Sequence, residues 1–162
     1  MILITGGEKS GKSSFALQLA MKMGERRAFL ATAEPFDEEM KVRIERHKEK
    51  RSTSFDTFEE PIYIPNVLNE LSNYDVLVID CMTTWLGNLM HYNINIENMV
   101  KKLIDSLNGN EIIVSNEVGM GIIPANATTR KYVEELGKLN STLAFQANEV
   151  YFMVSGIGVK IK

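Results

Sequence analysis

At 162 residues, 44% hydrophobic and 24% charged, the chain has the apolar content of one globular core, and its net charge of −3 argues against a general nucleic-acid or membrane-surface binder. A single cysteine, Cys81, excludes an intrachain disulfide, and with only two histidines there are too few ligands for a structural zinc site. No apolar run approaches the ~20 residues that span a bilayer. One domain over residues 1–162 is expected, in the cytoplasm, because the first residues read as strand and loop rather than as a basic-apolar leader.

In chain order, Ile2-Leu3-Ile4 is a continuously apolar run suited to a strand buried on both faces, at residues 2–5. Gly6-Gly7-Glu8-Lys9-Ser10-Gly11-Lys12-Ser13 follows it directly and has the form G-x-x-x-x-G-K-S. Gly6 and Gly11 let the backbone turn tightly enough for its N–H groups to face phosphate oxygens. Lys12 adds a point charge, and Ser13 supplies a hydroxyl for Mg²⁺. Phe15, Leu19 and Met23 then recur at helical spacing until Gly24 closes the helix. A strand is expected at 28–32.

Residues 37–51 read as a charged helix. Met40, Ile44 and His47 fall at i, i+4 and i+7, which puts the histidine on the apolar face, while Lys41, Arg43, Arg46, Lys48, Lys50 and Arg51 outnumber Glu45 and Glu49. A locally basic helix suits an anion, and nearby cations favour neutral imidazole, the form that can attack phosphorus. The same periodicity equally describes a solvated helix whose histidine packs on the sheet.

Residues 54–58 read as an edge strand and 75–80 as a central one. Asp80 ends the run Val76-Leu77-Val78-Ile79, so its carboxylate emerges at the C-terminal edge of the sheet, where ligands bind in open α/β folds. There it either holds Mg²⁺ against a triphosphate or caps the following segment, 82–89. Cys81 reads as a small buried residue, and Trp85 and His91 as residues that pack or meet a neighbouring subunit rather than catalyse. Residues 96–107 form a helix with Ile96, Met99, Val100, Leu103, Ile104 and Leu107 on one face. After a strand at 111–116, Glu117 lies in a loop where it either touches substrate or metal or stabilises the loop. A helix at 128–147 carries Tyr132, Val133, Leu136, Leu139 and Leu143. Strands at 149–154 and 159–162, separated by Gly156 and Gly158, suggest an antiparallel edge hairpin. The alternation predicts an α/β fold, a mostly parallel central sheet flanked by helices.

Several segments together carry a more specific signal. The phosphate loop, Ala31-Thr32, Asp37-Glu38-Glu39-Met40 with Arg43-Ile44 and His47-Lys48, Val114-Ser115-Asn116-Glu117-Val118-Gly119-Met120-Gly121-Ile122-Ile123-Pro124, and Val154-Ser155-Gly156-Ile157-Gly158-Val159-Lys160-Ile161-Lys162 closely resemble the bifunctional adenosylcobinamide kinase/adenosylcobinamide-phosphate guanylyltransferases. The resemblance runs from end to end. It implies a RecA-like P-loop fold, a homotrimer, Mg²⁺, and ATP and GTP as substrates. It also implies two reactions on a corrinoid: phosphorylation of adenosylcobinamide, then transfer of GMP from GTP to that phosphate. By the same resemblance His47 is the residue that becomes guanylylated. Nucleotide contacts fall on Gly6 to Ser13, on Ala31, Thr32 and Ala33, on Lys48, Glu49, Lys50 and Arg51, and on Glu59 and Asp80, with Ser13 and Asp80 at the metal. Lys50 stands where the family usually has glycine, and Asp80 where many members have the longer glutamate. Two rivals share the phosphate loop: a P-loop small-molecule kinase in which His47 is incidental, and a nonenzymatic RecA-type nucleotide-dependent assembly module.

Overall fold

The computed structural model describes residues 1–34, 38 and 54–162. Its strands are β1 (Ile2–Gly6), β2 (Arg27–Ala31), β3 (Asp56–Glu59), β4 (Val76–Asp80), β5 (Glu111–Val114), β6 (Glu149–Val154) and β7 (Ile157–Lys160). Its helices are α1 (Lys12–Met23), α2 (Ile64–Glu70), α3 (Met82–His91), α4 (Ile96–Ser106) and α5 (Ala127–Gln146).

The seven strands form one sheet in the order β3-β2-β4-β5-β1-β6-β7. Every pairing is parallel except that of β6 with β7, which is antiparallel, as Gly156 and Gly158 suggest. This is the expected RecA-like arrangement: β5 intervenes between the phosphate-loop strand β1 and the acid-ending strand β4.

Both faces of the sheet are covered, which is why its strands read as continuous rather than alternating apolar runs. On one face Leu3, Leu30, Ile79 and Ile113 pack against Trp85, Leu86 and Leu89 of α3, Leu103 of α4 and Leu136 and Leu143 of α5. On the other, Ile4, Phe29, Val78, Ile112 and Val114 meet Ala16 and Ala20 of α1. The stripe expected on α1 is therefore displaced. Lys12, Ala16 and Ala20 are its buried line, Phe15 and Leu19 only flank it, and Met23 is exposed. Small residues at i and i+4 let α1 lie close to the sheet, where larger side chains would hold it away.

Helix starts follow local chemistry. Asn95 and Asn126 cap α4 and α5 by accepting hydrogen bonds from the N–H groups of Asn98 and Thr129. Helix α2 has no counterpart among the sequence-based expectations; it is 7 residues long with Pro65 in its first turn, too short to display a full apolar period. The edge strands shift by a few residues: β3 begins at Asp56 rather than at 54, and β7 at Ile157 rather than at 159.

Candidate active site

Strand β1 delivers Gly6 to the C-terminal edge of the sheet, where the chain turns under glycine control. At φ +147°, a Cβ on Gly6 would stand 2.6 Å from the Met153 carbonyl oxygen. Lys9 (φ 56°) and Gly11 (φ 95°) are left-handed, a backbone alternation that gathers N–H groups into an anion-binding nest. Gly11 precedes α1 without any side-chain cap, so the first-turn donors remain available to a ligand. The Lys12 side chain is nearly buried, and its ammonium donates to the Gly7 carbonyl at 2.6 Å, so it crosses the loop it belongs to.

The strand register aligns the other residues. Glu59, Ala31, Asp80, Val114 and Ile4 occupy one row across β3, β2, β4, β5 and β1, at the edge where the phosphate loop begins. Asp80 is half-buried. The segment after it, whose Asp80–Cys81 peptide is cis, is tied down on both sides. On the β2 side, Thr32 is fully buried and its hydroxyl both donates to the Cys81 carbonyl (2.8 Å) and accepts from the Cys81 N–H (2.9 Å). Asn88 of α3 secures Thr32 in turn, its carboxamide donating to the carbonyls of Thr32 and Pro61, both at 2.9 Å. On the β5 side, the Asn116 N–H donates to the Thr83 hydroxyl (2.7 Å), the Asn140 carboxamide donates to the Asn116 carbonyl (3.0 Å), and Ser115 donates to Asn140 (2.6 Å). Asn116 also reaches the phosphate loop: its Nδ2 donates to Glu8 at 3.0 Å, and the next N–H, that of Glu117, donates to the Gly6 carbonyl.

The structure thus brings together Gly6, Gly7, Glu8, Lys9, Ser10, Gly11, Lys12, Ser13, Ala31, Thr32, Ala33, Glu59 and Asp80 at one sheet edge. The polar groups of Thr32 are already engaged: its hydroxyl with Cys81, its N–H with the Asp80 carbonyl and its carbonyl with Asn88. Glu59 is exposed at the end of β3, whereas the neighbouring Glu60 carboxylate is occupied in holding the N–H groups of Ile62 and Tyr63. His47, Lys48, Glu49, Lys50 and Arg51 lie outside the described residues. The Glu117 carboxylate accepts from the Gly119 N–H at 2.8 Å, a contact that supports its loop-stabilising reading. Trp85 is fully buried and donates to the Ile62 carbonyl, so it packs as expected; His91 is exposed, with its ring edge-on to Tyr92, and is not a core residue. Burial pushes the Cys81 thiol up, with the Asp80 charge adding to it, and its sulfur lies 3.2 Å from the Thr84 hydroxyl; this is no thiolate nucleophile.

Among the described residues no three His, Cys, Asp or Glu side chains cluster as a metal site. A hydroxyl and a carboxylate, Ser13 and Asp80, suit a hard cation that takes its other ligands from phosphate and water. A cavity of about 440 Å³ lies at the opposite end of the sheet, between Arg26, Arg27, Asp56 and Tyr74, and no phosphate-loop residue lines it.

The polar ties of Asn88, Asn116 and Asn140 escape a reading of motifs alone. A signal existed for two of them: Asn88 lies three residues after Trp85 and Asn140 four after Leu136, each a polar residue on an inward helical face.

No helix of the described residues is long and apolar enough to cross a membrane. Residues 2–161 match the profile of the CobU family, "cobinamide kinase / cobinamide phosphate guanyltransferase". The chain is 36% identical to the bifunctional adenosylcobalamin biosynthesis protein CobP of Pseudomonas aeruginosa, over 99% of this chain and 96% of that one. It is 34% identical to the bifunctional adenosylcobalamin biosynthesis proteins CobU of Escherichia coli and of Salmonella typhimurium, over 100% of this chain and 99% of each. The crystal structure of the RadB recombinase is similar at TM-score 0.48 and 16% identity, over 93% of this chain and 72% of that one, a likeness that says nothing of activity. By its full-length match and its identity to these relatives, the chain belongs to the cobinamide kinase / cobinamide phosphate guanyltransferase family.

Proposed function

We propose that this chain phosphorylates the hydroxyl of adenosylcobinamide with ATP or GTP, then transfers GMP from GTP to the resulting phosphate through a guanylyl-histidine at His47, giving adenosylcobinamide-GDP. The observation that carries the reading is an intact phosphate loop, with Lys12 folded across it and Asp80 on the same edge, in a chain that matches the family over its whole length.

In the kinase step the acceptor oxygen bonds to the γ-phosphorus, the bond from γ-phosphorus to the oxygen on the β-phosphate breaks, and the hydroxyl proton passes to water. In the transferase step the neutral imidazole bonds to the α-phosphorus and pyrophosphate departs. The corrinoid phosphate oxygen then displaces the imidazole, and the P–N bond breaks. Dividing the transfer in two conserves the phosphoryl potential while the acceptor arrives. Lys12 and the loop N–H groups meet the charge that develops on the phosphates. Ser13 and Asp80 would hold Mg²⁺, which would add to the neutralisation of the triphosphate.

Self-association fits the surface. Ile157 and Val159 of the edge strand β7, and Ile161 just past its end, alternate along the chain and stand 68%, 48% and 63% exposed, an apolar stripe that a monomer would leave wet. We assign it to contact between copies in a homotrimer, with the large corrinoid enclosed between subunits and the reactions taking place in the cytoplasm.

Incubation with GTP labelled at the α- or the γ-phosphate tests the reading. Acid-labile, base-stable α-label retained on denatured protein and lost in His47→Asn is expected. Transfer of γ-label to a small acceptor without retained α-label would indicate a simple kinase, and neither result a binding module. Mass spectrometry locating the GMP on another residue would sink the His47 assignment.

A further inference from the structure

The terminal segment Val154–Lys162 takes no part in the chemistry above, yet its turn lies against the phosphate loop. The Gly156 N–H donates to the Ser10 carbonyl at 3.1 Å, and a Cβ on Gly11 would stand 3.4 Å from the Gly156 Cα. A Cβ on Gly158 would stand 2.9 Å from the Phe15 ring, in the first turn of α1, and 3.2 Å from the Met153 sulfur. Gly156 itself is left-handed, at φ +84°. The turn is therefore bonded to the loop at Ser10 and lies in contact with Gly11, and at Gly158 the approach to Phe15 leaves no room for a side chain, on a motif that lies far from the loop in sequence.

We propose that the β6–β7 turn is a positioning element of the nucleotide site: it fixes the orientation of the Ser10–Gly11 peptide, and with it the N–H that faces phosphate. In a trans peptide the C=O and the following N–H point in opposite directions. Because Gly156 draws the Ser10 carbonyl toward the hairpin, the Gly11 N–H is turned away from the hairpin. Contact between Gly158 and Phe15 sets the start of α1, and so the height of the Lys12 and Ser13 donors, from the same side. The inference rests on the reading that the loop binds a nucleoside triphosphate.

The test compares GTP affinity by titration calorimetry with melting temperature measured without nucleotide. Gly156→Ala strains the turn backbone and Gly158→Ala collides with Phe15, while Val150→Ala, in the other strand of the hairpin, β6, and away from the loop, is the control for general destabilisation. The glycine variants are expected to weaken GTP at least tenfold. Val150→Ala is expected to lower the melting temperature as much or more and to bind GTP as the wild type does. Adding Phe15→Leu to Gly158→Ala relieves the collision and should restore most of the affinity; this pair also serves if Gly158→Ala alone does not fold. Folded glycine variants that bind GTP within twofold of wild type, or whose loss merely follows melting temperature as the control's does, would overturn the proposal. A wild-type protein that fails to bind GTP would instead refute the nucleotide reading beneath it.

Discussion

Thr32→Val tests how the segment after Asp80 is held. Valine keeps the branched shape, so the substitution removes one oxygen and little volume. That oxygen is the partner of both main-chain groups of Cys81, at 2.8 and 2.9 Å, in a side chain with no solvent exposure. Leaving a buried backbone group unpaired costs roughly 1–3 kcal/mol, and because these two are only partly buried the lower half of that range applies, about 2–4 kcal/mol for the pair. The extra methyl returns roughly 0.8 kcal/mol of burial, leaving a net loss of about 1–3 kcal/mol. At ~2–4 °C per kcal/mol for a chain of this size, the melting temperature should fall by about 4–8 °C for a mid-range loss of ~2 kcal/mol. Urea denaturation checks it: the midpoint should drop with the slope unchanged, since the fold is unchanged. Thr32→Ser keeps the hydroxyl and should retain most of the stability. If Thr32→Val falls within ~0.5 kcal/mol of wild type, or Thr32→Ser loses as much, the reasoning from those two bonds is wrong.

Lys12→Ala should lower both phosphoryl and guanylyl transfer by about 10²–10³-fold, read from initial rates at saturating acceptor. Asp80→Asn should raise the Mg²⁺ concentration needed for half-maximal activity and be partly relieved by excess metal; an unchanged Mg²⁺ titration would remove Asp80 from the metal. Asp75 holds the β4 entrance by accepting from the Arg26 N–H, then from the Arg26 guanidinium and the Glu25 N–H, and these bonds lower its pKa in the fold. A depressed carboxylate contributes stability that is complete above the unfolded pKa of about 4 and is lost as pH falls through the folded value, so the melting temperatures of wild type and Asp75→Asn should converge as pH drops from about 5 to 2; a gap independent of pH would refute this.

The sequence made the sheet legible because both of its faces are covered. Runs such as Val76-Leu77-Val78-Ile79 are apolar throughout and bounded by polar residues, so their length and ends show without any knowledge of partners. The phosphate loop was legible for a different reason: its chemistry is local, eight consecutive residues whose backbone does the work. For Asn88 and Asn140 helical period shows an inward position but not the partners, because Asn140 meets Ser115 and Asn116 across 25 and 24 residues and Asn88 meets Thr32 across 56, distances no periodicity encodes. The displaced stripe on α1 has the same origin. Period alone marks Phe15 and Leu19 as inward, but how close the helix lies to the sheet is decided by the size of Ala16 and Ala20.

The frame also explains how one loop can serve two proposed transfers. When the γ-phosphoryl group moves, the bond that breaks leaves its electrons on a β-phosphate oxygen; when the α-phosphorus is attacked, pyrophosphate departs and the electrons again pass to an oxygen of the β-phosphate. A seat that grips the β-phosphate therefore stabilises both leaving groups without rearranging. The loop has the stiffness such a seat requires, being tied to β5 through Asn116 and Glu117 and to the hairpin through Gly156. Asn116 joins this seat to the end of β4 as well, because the residue whose side chain meets Glu8 also fixes Thr83, three residues past Asp80. With triphosphate and acid held in one frame, the choice between reactions falls to the nucleophile. Lys12→Ala should accordingly depress both transfers by similar factors, while His47→Asn abolishes guanylyl transfer and spares phosphoryl transfer. A Lys12 variant that loses one reaction and keeps the other at wild-type rate would show that the two do not share a seat.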